Sequence, residues 1–212
     1  MRTMTFADRS EAGRMLAETL EKYRRAAVVF ALPRGGVETA AEVALGLDAP
    51  LGLIIARKIG HPSSPEYAVG AVTETGPAVW NEAERASLDD TWAKQAEAAE
   101  RSEAKRRREL YLQGRKPVSA KGKTAIIVDD GIATGLTMQA AVQEVKKQNP
   151  KQIIVAVPVA PQDSIDTLME DADEIIVLDN PADFRGAVAA HYENFPQLND
   201  DGVIDLLERF EA

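Results

Sequence analysis

The chain has 212 residues, no cysteine, 45% hydrophobic residues and a formal net charge of −9. A chain of this size can bury one substantial core, and without cysteine it has neither disulfides nor thiolate metal sites. The acidic balance opposes bulk affinity for nucleic acid, so any anionic ligand must be met by a local basic cluster. The longest apolar run, Ala26 to Leu32, is far short of a membrane span, and the opening MRTMTFADRS has no signal-like hydrophobic segment. A cytoplasmic protein with no membrane or nucleic-acid partner is the expectation.

In chain order, Asp8 followed by Glu11 has the spacing of a capping box, and apolar positions 12, 15, 16 and 20 form one stripe. This predicts a helix from Asp8 to about Arg25 that covers one sheet face. Ala27 to Leu32 reads as a strand, Gly36 to Leu47 as a helix and Leu51 to Ala56 as a second strand, giving a βαβ unit. Tyr67 to Thr73 is a further strand. Asn81 to Gln113, rich in Ala, Glu, Lys and Arg without interior Gly or Pro, predicts one long helix. It is too polar for a core, so it is expected to pack on a narrow stripe and project as a dimer arm or lid support. Its run Lys105 to Arg108 reads as a solvated face.

Alternation then returns: strand Thr124 to Val128, helix Thr134 to Gln148, strand Gln152 to Pro158, helix Pro161 to Met169, strand Glu174 to Leu178 and a closing helix from Asp200 to Phe210. Such alternation implies a parallel sheet. The fold class is therefore α/β, a Rossmann-like parallel sheet with flanking helices, organised as one domain over 1–212. A long inserted helix occupies about 81–116, and small C-terminal hood elements occupy about 180–212.

The most informative stretch is Thr124 to Met138, TAIIVDDGIATGLTM. A β-branched run leads into two aspartates and then a small-residue loop, so the loop lies at the carboxyl end of a buried strand, before a helix. Unpaired amides and the positive end of the helix dipole make that position suitable for an anion. Gly131 and Gly135 admit close approach, and Thr134 and Thr137 add hydroxyls. Asp129 and Asp130 would repel a phosphate at close range. They suit the vicinal hydroxyls of a ribose, or the waters of a magnesium ion. The stretch thus reads as a sugar-phosphate site. No G-x-x-x-x-G-K-[ST] and no G-x-G-x-x-G is present.

Two further loops handle anions. Leu32-Pro33-Arg34-Gly35-Gly36 ends the first strand and runs into a helix, with Arg34 as an anion clamp. Arg57-Lys58-Ile59-Gly60-His61-Pro62 ends the second strand, placing Arg57 and Lys58 at the rim, and the following SSPEY has the composition of a mobile connection. His61 reads as a local loop residue and takes no part in the expected chemistry.

The segment IVDDGIATGLTM closely resembles the phosphoribosyl pyrophosphate signature of the type I phosphoribosyltransferases. FADRSEAG, LPRGGV, RKIGHPSSPEYAVGAV, GRKPVSAKGKT, VPVAP and HYENFPQLNDDGV extend the resemblance over nearly the whole chain, to a subgroup of stand-alone members without an assigned acceptor. By resemblance, Asp129 and Asp130 bind the ribose hydroxyls, and Ala133, Thr134, Gly135, Leu136 and Thr137 wrap the 5′-phosphate. Arg34, Gly35 and Gly36 form the pyrophosphate loop, in which a non-proline cis peptide is common. Arg57 and Lys58 match an R-K-x-G pattern of adenine-type members, and Gly60 to about Pro65 belongs to a flexible closing loop.

Of these, Arg34, Lys58, Asp129 and Asp130 are the expected catalytic residues. The resemblance also implies magnesium held mainly by phosphoribosyl pyrophosphate and water, with no dedicated protein metal site. The partners are that donor and a small nitrogenous acceptor, and the assembly is a homodimer. Members that act on 6-oxopurines carry an acid where this chain has Ala133, which leans the acceptor away from hypoxanthine and guanine. Phe184, Tyr192 and Phe195 are candidates to stack on a base, with core packing the expected role of at least two of them. The same fold also serves non-catalytic regulators that bind phosphoribosyl pyrophosphate or nucleotides, the alternative to an enzyme.

Overall fold

A computed structural model describes residues 4–184 and 186–210. Five strands form one parallel sheet in the order β2-β1-β6-β7-β8: β1 (Ala27–Ala31), β2 (Leu51–Leu53), β6 (Thr124–Val128), β7 (Gln152–Val159) and β8 (Glu174–Asp179). β1 and β6 are buried along their whole length. Their side chains alternate between two cores, as the period of two requires. Val29, Ile126 and Ile154 join one core with α1 (Arg9–Thr19), α2 (Gly36–Leu47) and α7 (Asp200–Glu208). Phe30, Ile127 and Val155 join the other with α5 (Leu136–Lys146) and α6 (Gln162–Leu168). Truncating a fully buried isoleucine such as Ile126 to alanine would cost about 2–5 kcal/mol.

The predicted α/β class, helix α2 and strand β6 match the structure, β7 and β8 run one residue further than predicted, and the predicted helices other than α2 are shortened at their ends. The helix predicted to Arg25 ends at Thr19, with a 3-10 turn at Glu21–Tyr23. Asp8 caps it by accepting from the Glu11 amide, while Glu11 accepts from the Ala7 amide, one residue earlier than in a standard box. The helix predicted to begin at Thr134 begins at Leu136, because Gly135 adopts φ +78° as its cap.

Three expectations are corrected. The strand predicted to Ala56 stops at Leu53, and Arg57 and Lys58 open a separate antiparallel sheet: β3 (Arg57–His61), β4 (Ser64–Val72) and β5 (Val79–Trp80). The SSPEY stretch expected as a mobile connection is strand from Ser64 onward, so that Gly60 to Pro65, the segment assigned to a closing loop, forms the tip of this hairpin, with His61 paired to Ser64. Finally, the single helix over 81–113 is two: α3 (Glu82–Arg85) and α4 (Asp90–Leu112). Asp89 accepts from the Trp92 amide and starts α4 afresh.

α4 packs on a narrow stripe, as expected, but lies against the body of the protein instead of projecting. It buries Ala93, Ala104 and Tyr111, and its Trp92 and Ala96 pack with Ile59, Val69 and Val72 of the hairpin. The hairpin's other face meets α5 through Ala71, Leu136 and Ala140. Part of the hood region, Arg185 and residues 211–212, and the opening residues 1–3 of the predicted domain lie outside the described residues. Among the described residues, no helix is long and apolar enough to cross a membrane.

Candidate active site

The sheet order reverses between β1 and β6: the chain moves outward to β2 from one and toward β7 and β8 from the other. At such a switch point the loops leaving the two strands diverge and open a crevice at their carboxyl ends. The loops concerned are Leu32 to Gly36 and Asp129 to Thr137, so the topology alone brings together two stretches almost a hundred residues apart in sequence.

The contact is close. A Cβ added at Gly35 would fall 2.0 Å from Asp130 Oδ2, and one at Gly36 would fall 2.6 Å from Asp129 Oδ1. Both glycines are therefore required by packing against the acid pair, since neither has room for a side chain. The peptide between Pro33 and Arg34 is cis, one bond ahead of the Arg34–Gly35 step within the loop that resembles the family's pyrophosphate loop.

Asp129 and Asp130 sit at the end of β6, largely buried. Asp129 Oδ1 accepts from the Asp130 amide at 2.8 Å, and Asp130 Oδ2 accepts from Arg9 Nε at 2.7 Å. Burial and the neighbouring Asp130 charge push Asp129 well above the usual carboxylate range. Burial raises Asp130 as well, opposed by its hydrogen bond to Arg9. Tyr192 donates to the Asp130 carbonyl at 2.6 Å, and burial pushes its own hydroxyl far up. Sequence reasoning missed Arg9, which lies 121 positions from its partner.

The small-residue loop keeps its backbone available. α5 starts with no side-chain cap, and Ser164 Oγ donates to the Ala133 carbonyl at 2.9 Å, bracing the loop from α6. Asp129, residues Ala133, Thr134, Gly135, Leu136 and Thr137, and Lys58 border one cavity of about 210 Å³, with Val188 on its wall. Lys58 is thus brought to the loop from a different sheet.

Arg34 and Arg57 are not directed into that cavity. Arg34 is paired with Asp200 at 3.7 Å, and Asp200 also accepts from the Tyr111 hydroxyl at 2.7 Å. Arg57 donates to Glu100 of α4 at 2.8 Å. Lys58 donates to Glu66 at 3.1 Å, and the Glu66 side chain is 96% exposed, so that pair is loosely held. Of the hood aromatics, Tyr192 and Phe195 pack together, and Phe195 lies under the Arg9 guanidinium. Phe184 stacks on His191. His61 hydrogen-bonds locally to Ser63, as expected.

A family profile described as phosphoribosyl transferase domain matches residues 7–193, close to nine-tenths of the chain. The chain belongs to this phosphoribosyltransferase family. Proteins provisionally named phosphoribosyl transferases in two Mycobacterium tuberculosis strains, CDC 1551 and H37Rv, are each 42% identical over 207 residues. That match covers 96% of this chain and 46% of the relative, so the chain spans about half the length of these family members. The crystal structure of TT1426 from Thermus thermophilus is 38% identical and superposes with a TM-score of 0.83 over 99% of this chain and all of that one. The parallel sheet with flanking helices is accordingly the type I phosphoribosyltransferase fold.

Proposed function

We propose that the protein transfers a 5-phosphoribosyl group from magnesium phosphoribosyl pyrophosphate to a nitrogen of a base or related nucleophile, releasing pyrophosphate. The observation that carries this reading is the seam at the β1/β6 switch point. There Gly35 and Gly36 pack on Asp129 and Asp130, so a loop fit for a diphosphate and acceptors fit for two sugar hydroxyls face one crevice.

The amides at the start of α5 and the hydroxyls of Thr134 and Thr137 would take the 5′-phosphate. Asp129 and Asp130 would accept from the ribose hydroxyls and hold the anomeric carbon for in-line attack with inversion. Positive charge develops on the sugar as its bond to pyrophosphate breaks, and the departing negative charge needs stabilisation. Lys58, already beside the loop, supplies it directly, and Arg34 and Arg57 supply it after exchanging Asp200 and Glu100 for the diphosphate. No covalent nucleophile is needed.

The donor set suits magnesium carried mainly on diphosphate and water. Asp129 and Asp130 offer carboxylate oxygens, and among the described residues no group of three or more ligating side chains is present. When bound, magnesium would neutralise part of the diphosphate charge. Ala133 stands where members acting on 6-oxopurines carry an acid, which favours acceptors other than 6-oxopurines.

The test is pyrophosphate release from magnesium phosphoribosyl pyrophosphate across a panel of purines, pyrimidines and other nitrogen nucleophiles. Release dependent on one acceptor class is expected. Tight donor binding with no release on any acceptor would overturn catalysis and leave a binding regulator.

A further inference from the structure

Arg9 stands at a junction that the roles above leave unused. Its side chain is 5% exposed, with Nε on Asp130 Oδ2 at 2.7 Å and Nη1 donating to the Pro196 carbonyl at 2.6 Å. The guanidinium lies 3.6 Å from the centroid of the Phe195 ring, and Glu38 comes within 4.0 Å. A Cβ at Gly35 would fall 3.0 Å from both Nε and Nη2, so the group also borders the Arg-Gly-Gly loop. One guanidinium thus ties the second acid to the C-terminal segment and to the neighbouring loop.

Burying a charge in this way is a poor route to stability. Desolvation offsets most of the attraction in a buried ion pair, and an apolar side chain of similar volume would serve packing as well. What a planar fork supplies instead is direction: it fixes where its carboxylate partner points. Without it, two adjacent buried carboxyl groups would face each other with no counter-charge, free to turn away from the crevice.

We propose that Arg9 is a positioning residue that sets the sugar specificity of the crevice, holding Asp130 so that the acid pair recognises two vicinal hydroxyls and distinguishes a ribose 5-phosphate from its 2-deoxy counterpart. This rests on the reading of the crevice as a 5-phosphoribosyl site.

Calorimetric titration of the intact protein with ribose 5-phosphate and with 2-deoxyribose 5-phosphate tests it. The wild type is expected to prefer ribose by about tenfold or more, the scale of a hydrogen bond to a charged group. Arg9→Met is expected to retain phosphate-dependent binding of both sugars while the preference falls to about twofold or less. In an Asp130→Asn background, Arg9→Met should lower the preference no further. Arg9→Lys, which keeps the charge without the fork, should retain an intermediate preference.

A folded Arg9→Met with the wild-type preference overturns the inference, and Arg9→Gln is read by the same rule where Arg9→Met does not fold. Equal binding of the two sugars by the wild type overturns it alone. Failure of the wild type to bind either sugar phosphate overturns the functional reading and this inference with it.

Discussion

The crevice is assembled from two kinds of structure. The Arg-Gly-Gly loop and the acid-pair loop leave fully buried neighbouring strands of the parallel sheet, and each is wedged against the other. Lys58 and Arg57 come instead from an antiparallel hairpin whose residues Ser64 to Tyr67 are exposed and whose pairing is irregular between Ile59 and His61. Loops rooted in a core have their geometry before the ligand arrives, which favours recognition. The base of the hairpin is packed on α4 and α5, but its exposed tip can shift at small cost, which favours closure over a reacting centre. The division predicts that damage to the strand-end loops removes binding, whereas damage to the hairpin slows turnover.

The largest effect should come from Asp129→Asn combined with Asp130→Asn. We expect donor affinity or turnover to fall by about a hundredfold or more, with the far-UV circular dichroism unchanged. Gly35→Ala comes next. Its Cβ would meet Asp130 Oδ2 at 2.0 Å, so we expect a loss of about 1–3 kcal/mol in chemical denaturation and a clear rise in KM for the donor. Lys58→Ala should lower kcat by about tenfold while donor affinity changes less. Its exposed pair with Glu66 contributes at most about 1 kcal/mol, so Tm should hardly move. A larger effect on donor binding than on kcat would erase the distinction between the two regions.

The smallest effect concerns α4 alone. Hydrogen bonds from Arg106 and Arg107 hold Glu103 down at about 2, below its ordinary 4.5. Because the folded value is the lower one, the contribution is present above pH 4.5 and is lost as pH falls toward 2. Glu103→Gln should therefore flatten that part of the acid limb in urea titrations and leave donor affinity at pH 7 unchanged.

The strand-end loops were legible because their signals are local. A short β-branched run, acids or glycines at its end and a helix start together define a strand terminus, and TAIIVDDGIATGLT and AVVFALPRGGV each contain all of them. The hairpin was hidden by composition: Pro62, Ser63, Ser64 and Pro65 read as a connection, yet only the first two form the turn. The break before α4 was hidden by averaging, since one capping aspartate in a strongly helical window carries little weight. Arg9 had one faint marker. It is the first residue of α1, where the helix dipole favours acids, so a buried arginine there needs a partner from elsewhere. Nothing in the sequence names that partner, because the bond to Asp130 exists only once β6 has paired with β1.

Helix α4 holds Arg57 through Glu100 and, through Tyr111 and Asp200, stands behind Arg34. Glu100 and Tyr111 are eleven positions apart on one helix, about three full turns, so they share an azimuth and lie about 16 Å apart along the axis. In the proposed site the helix would therefore act as a phased spacer between Arg57 and Arg34. Its polar sequence can drift widely, but its length between Glu100 and Tyr111 cannot: one added residue would rotate one contact by about 100° relative to the other and uncouple the two arginines without touching a single residue of the site.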